Sequence, residues 1–132
     1  MFKLKLYLYW GARVVAAIIF LQTLFFKFSG SAESVYIFST VGIEPWGRIG
    51  IGVLELIASV LLLITSTAWM GALLGIGLML GAIGMHLTLL GIEVQGDGGY
   101  LFILAIVVTV CSVYVLWLDK EKAITFVDNL KD

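Results

Sequence analysis

Four stretches of roughly 20 predominantly apolar residues dominate this chain: about 8–28, 49–66, 68–92 and 100–118. A helix needs about 20 such residues to cross the hydrocarbon core of a bilayer, and in lipid only helices and closed barrels satisfy their own backbone polar groups. The second and third stretches are separated only by "TSTA" at 65–68. A single helix over 49–92 would run about 66 Å, twice the thickness of the core, so the chain is expected to turn there. Thr and Ser hydroxyls favour such a turn by bonding nearby backbone groups. The expected fold is therefore all-α, a transmembrane four-helix bundle forming a single membrane domain over 1–132. Charged residues make up only 13% of the chain, about half the share of a soluble domain.

Aromatic and basic residues give the layout. Tyr and Trp favour membrane interfaces, and Tyr7, Tyr9, Trp10, Trp46, Trp69, Tyr100 and Trp117 all fall near expected span ends. Lys3 and Lys5 precede the first span, and Lys120, Lys122 and Lys131 follow the last. The opposite loops hold Lys27 and Arg48 but also Glu33, Glu44, Glu93 and Asp97. The positive-inside bias puts both termini in the cytoplasm and predicts a multi-pass protein of the cell (inner) membrane. A cleaved signal peptide over 1–32 is the competing reading of "SGSA", but Arg13, Gln22 and Lys27 interrupt its apolar region. The long first outer loop, 29–47, is expected to hold a short helix from about Ser34, capped by Ser31 or Ser34 and ended by Pro45.

Polar residues inside the spans are the candidates for function. Counted from the outer ends, Glu55 lies about 10 Å deep and His86 about 9 Å deep. Gln22 is at similar depth, Lys27 is just inside the boundary, and Arg48 is one layer above. At 100° per residue, Arg48, Gly52, Glu55, Ser59 and Ser66 share one face, opposite Leu54, Ile57, Leu61 and Ile64. His86 shares a face with Ala82, Met79 and Gly75. Lys27, Thr23, Phe20, Ala16 and Arg13 form a stripe on the first span, with Gln22 off it. Lys27, Glu55 and His86 are expected to converge near the outer mouth, while Arg13 is expected to snorkel to the cytoplasmic side. Intramembrane ionisable groups mark functional sites by default, and a structural role in fixing helix packing stands beside that reading. The small-residue spacings Gly71/Gly75 and Gly77/Gly81 allow close helix approach, within the bundle or against a second copy.

Several chemistries are excluded or unsupported. A net charge of −1 gives no reason to expect nucleic acid. One Cys, Cys111, permits neither an internal disulfide nor a C-x-x-C relay, and one His among scattered carboxylates gives no metal-ligand spacing.

The stretches "LFFKFSG", "GIEPWGRIGIGVLELIASVLLLI", "GMHLTLLG" and "GGYLFILAIVV" resemble the DoxX family of small four-span membrane proteins. Lys27, the Gly52-to-Glu55 spacing and His86 stand where that family carries a polar residue after span one, G-x-x-E in span two and a late His in span three. The resemblance implies a membrane subunit or partner of a quinone-linked redox complex. Quinone would be the ligand, with Glu55 and His86 bonding its head group and exchanging its protons; Lys27, and Arg48 and Gln22 from the same polar layer, are the further candidates. It also admits a non-catalytic membrane assembly or partner protein. A small carrier for protons or a lipophile is the third reading. In each case another membrane or redox protein, or a second copy docked through span three, is an expected partner in the bilayer.

Overall fold

A computed structural model describes residues 2–131. It contains six α-helices and, among the described residues, no strand: α1 (Phe2–Ser29), α2 (Ala32–Val41), α3 (Trp46–Leu63), α4 (Ala68–Met85), α5 (Tyr100–Leu118) and α6 (Lys120–Lys131). α1, α3, α4 with its continuation to Leu90, and α5 are long and apolar enough to cross a membrane. α1 packs on α3 and α5, and α4 packs on the same two, so the four close a ring in the order α1, α3, α4, α5. The short α2 and the 91–99 loop lie at one end, the loop end. The α3–α4 turn, the start of α1 and α6 lie at the other, the terminal end.

The helix ends differ from the sequence expectation in ways the chain explains. α1 is helical from Phe2, six residues before the expected span, because nothing in "FKLKLY" breaks a helix. α3 stops at Leu63, since Thr65–Thr67 wind as a 3₁₀ turn. The Thr67 hydroxyl there donates to the Leu61 carbonyl at 3.0 Å and lies 3.3 Å from that of Ile64, adding to the backbone bonds that already close this turn. α2 starts at Ala32, two residues before the expected Ser34, because Ser31 is the cap, its hydroxyl accepting from the Ser34 amide. It ends at Gly42 rather than Pro45: Gly42 adopts φ 91° and its N–H closes on Phe38 and Ser39 carbonyls. α4 loosens into a π-helical turn, His86–Leu90, and is ended by Gly91.

Burial follows the helical faces read from the sequence. α1 turns Arg13, Ala16, Ala17 and Phe20 inward, and α3 turns Gly52, Glu55, Ala58, Ser59 and Leu62 inward. Leu54, Ile57 and Ile64 are exposed on the outside of the bundle, where the solvent is lipid. Two glycines make the close crossings possible. A Cβ at Gly71 would sit 2.7 Å from the Leu62 nitrogen and 2.8 Å from the Ala58 oxygen, and one at Gly75 would press on Ser112 and Phe20. Gly77, Gly81 and Gly84 face outward and would meet nothing.

Candidate functional site

The polar layer begins with a charge that needs compensation. Glu55 is 2% exposed, on the inward face of α3, and an ionised carboxylate there is costly unless paired. The pairing comes from α1. Lys27 Nζ lies 2.8 Å from Glu55 Oε1, and the Thr23 hydroxyl lies 2.8 Å from Oε2. Thr23 also lies 3.1 Å from the Phe20 carbonyl, but its single proton goes to the nearer, charged acceptor. Lys27 and Thr23 are one turn apart, so both reach the same carboxylate. The ammonium meets Oε1 off the aligned hydrogen-bonding direction, so that contact is an ion pair and Oε1 keeps acceptor capacity. One turn toward the loop end, the Phe28 ring lies against the Gly52 backbone, where a Cβ would come within 2.6 Å. That contact gives the glycine of G-x-x-E a physical reason: it admits the Phe28 ring of α1 against α3, one turn from the carboxylate.

Arg48 stands one layer above, as expected, and belongs to a separate contact. Its Nε is 2.8 and 3.0 Å from the Glu44 carboxylate oxygens, and Nη1 donates to the Lys27 carbonyl at the end of α1. It thereby adds a charged donor to a carbonyl at the end of α1 that the Gly30 amide reaches only at 3.3 Å, and ties the end of α1 to α3.

His86 does not join the pair. Its ring is 5% exposed, Nδ1 lies 2.9 Å from the Gly91 carbonyl, and the ring meets Phe102 of α5 edge-on at 5.4 Å. A carbonyl oxygen can only accept, so Nδ1 is the donor in this contact. The expected convergence of Lys27, Glu55 and His86 therefore resolves into two groups. Lys27, Thr23 and Glu55 lie between α1 and α3, and His86 lies under α2 between the end of α4 and α5. Depth placed these residues in one layer, but a layer in a ring of four helices has several interfaces. Gln22 is exposed and turned toward α5, 3.5 Å from the Tyr100 hydroxyl, so it too stands apart from Glu55.

The loop beside His86 is organised by Asp97. Oδ1 accepts from the amides of Val94 (3.0 Å) and Gly99 (2.8 Å), and Oδ2 from Leu101 (3.2 Å) at the start of α5. Burial works against its charge, but these amides and the nearby His86 outweigh it and hold the carboxyl below the ordinary carboxylate range. Glu33 on α2 is pushed up, by burial first and the Asp97 charge second.

Two polar centres at the terminal end were not foreseen in the sequence. Arg13 does not snorkel. It is fully buried, its Nε donates to the Leu62 carbonyl at 2.7 Å, and its guanidinium stacks 3.9 Å from the Trp10 ring centre. Nearby, the Tyr9 hydroxyl donates to Asp119 at 2.5 Å. The signal for Arg13 was its place on the same stripe as Phe20 and Thr23, which faces the bundle.

No group of three or more His, Cys, Asp or Glu among the described residues could hold a metal ion. The arrangement can instead hold a charge pair away from water, with one exposed edge: Lys27 is 16% exposed where Glu55 is closed. Compared with known proteins, residues 9–88 match the DoxX family model, 80 of the 132 positions. No curated protein and no solved structure matches the chain.

Proposed function

The chain belongs to the DoxX family, and from that premise we propose that it is a membrane subunit or partner of a quinone-linked redox complex of the cell membrane. The single observation that carries this reading is the enclosed Lys27–Glu55 pair, 2.8 Å apart, with its cation the more exposed member at 16% against 2%. Such a pair is suited to a quinone head group. The Lys27 ammonium would donate to a quinone carbonyl, and on two-electron reduction the pair would supply one of the two protons that the quinone oxygens take up. The electrons come from a partner protein, since the chain's single Cys and single His give it no redox relay of its own. The outward glycine face of α4, Gly77 and Gly81, is where close approach by that partner or a second copy is sterically open.

A second reading is favoured by a specific observation. Both Glu55 oxygens already have partners within the chain, as in a clamp that holds α1 to α3 in an assembly or partner protein. Quinone binding by the purified protein in detergent separates the two. A short-chain ubiquinone is expected to bind the native chain and to bind Lys27→Met and Glu55→Gln at least about tenfold more weakly, the loss of one charge-assisted hydrogen bond. His86→Ala is expected to retain binding. Undiminished binding in both pair variants would remove the quinone assignment and leave the clamp.

A further inference from the structure

Among the described residues, α6 is the one α-helix that buries none of its side chains, and its two sides differ. One side is tied to the bundle: Lys122 Nζ lies 3.4 Å from the Thr65 carbonyl, and Phe126 packs on Trp69 at the start of α4, ring centres 5.3 Å apart. These contacts, together with Asp119 held by Tyr9 at the single-residue joint with α5, fix how α6 is rotated. The side turned away carries Ile124, Val127 and Leu130 at i, i+3 and i+6, exposed by 51%, 48% and 71%. In water these three side chains would be an unsupported apolar strip.

We propose that α6 lies in the plane of the membrane surface, with Ile124, Val127 and Leu130 immersed in lipid at the edge of the hydrocarbon. Three observations favour lipid over protein as the occupant. First, position: α6 starts one residue after the membrane-spanning α5, beside the exposed Trp117, and rests on Trp69, both ring types that settle at the interface. Second, the charges: Lys120 and Lys131 stand at the two ends of the apolar strip, and Lys120 lies over the Trp117 ring at 5.4 Å, an arrangement that lets an ammonium rise to the headgroups while its stem stays apolar. Third, size: the strip is three side chains over about 9 Å of helix, against the roughly 20–30 residues a side of a stable protein interface. Acidic and basic residues are mixed along α6, so the attachment is to the apolar boundary and needs no anionic lipid.

Spin labels test this on the full chain in lipid nanodiscs, where both membrane faces are open to reagents. Single cysteines replace Ile124, Val127, Leu130 or Asp128 in a Cys111→Ser background, and each label is probed with oxygen, which partitions into lipid, and with an aqueous nickel chelate. The expected result is an oxygen-to-nickel accessibility ratio severalfold higher at 124, 127 and 130 than at 128, in discs with and without anionic lipid. Nickel access at the three strip positions would overturn the proposal, because the strip would then face water. Shielding from both reagents would also overturn it, because the strip would then be covered by protein. A lipid reading at all four positions would do the same, because α6 would be inserted rather than lying on the surface.

Discussion

Lys27→Met would leave the Glu55 carboxylate between α1 and α3 with only Thr23 against it. Removing one partner of a buried ion pair costs about 3 kcal/mol, whereas replacing both by apolar groups of similar size is often neutral. Thermal unfolding in detergent should therefore show Lys27→Met well below the native chain and Lys27→Met/Glu55→Leu recovering most of the loss. A double variant no better than the single one would mean that mutual neutralisation does not hold the pair. Asp97 gives a prediction in pH. Its folded-state carboxyl lies below its ordinary range, so the stabilisation it lends the 91–99 loop is full above the unfolded value. That stabilisation is lost as pH falls through the folded value, in the acid region below about pH 4. Glu33 runs the other way: its raised value means its contribution is present in acid and lost as pH rises through the folded value. Amide exchange at Val94, Gly99 and Leu101 should be protected near neutral pH and lose protection in acid, and Asp97→Ala should abolish the protection at both. At this scale Glu55 and Lys27 were legible because a charge in an apolar run has few compatible partners. Arg13 was misread because a snorkelling side chain and a buried one look alike when only depth is counted; its facing, shared with Phe20, was the better guide.

The α3–α4 hairpin shows what an element-level reading captures. The small residues on α4 read as close-approach positions, and the structure divides them by face. Gly71→Ala puts a Cβ against the Leu62 nitrogen and the Ala58 oxygen, backbone atoms that cannot move aside, and should cost about 1–3 kcal/mol. Gly77→Ala meets nothing and should be neutral or stabilise the helix by up to about 1 kcal/mol. Melting temperatures of the two variants should move in different directions; a shift of similar size and sign in both would show that helix propensity, not the crossing, decides. The turn between the helices was readable from Thr65–Thr67, whose hydroxyls offer the backbone an alternative to the next helical bond. The π-helical turn at His86–Leu90 was not, because its sequence keeps the apolar pattern of the helix it interrupts. α6 follows the last span without a proline or glycine to announce it, and only its charge pattern sets it apart from α5.

For the molecule as a whole, run length and the cost of unpaired backbone in lipid were enough to specify four crossing helices and most of their inward faces. They could not specify which interface of the ring each polar residue enters, so Glu55 and His86 were grouped although α1 claims one and α5 the other. That division has a mechanical consequence. α1 grips α3 twice with cations from one stripe, Lys27 on Glu55 near one end and Arg13 on the Leu62 carbonyl near the other. The two grips are fourteen residues apart, about 21 Å along α1. Their acceptors lie only seven residues apart on α3, about 10 Å, so sliding α1 along its axis would lengthen one reach as it shortened the other, and turning it would swing both off their acceptors. α1 and α3 thus behave as a single strut that resists both piston and roller motion. A partner pressing on the loop end would then tilt this strut as a unit or unfasten its Lys27 end, and would not drive one helix past the other.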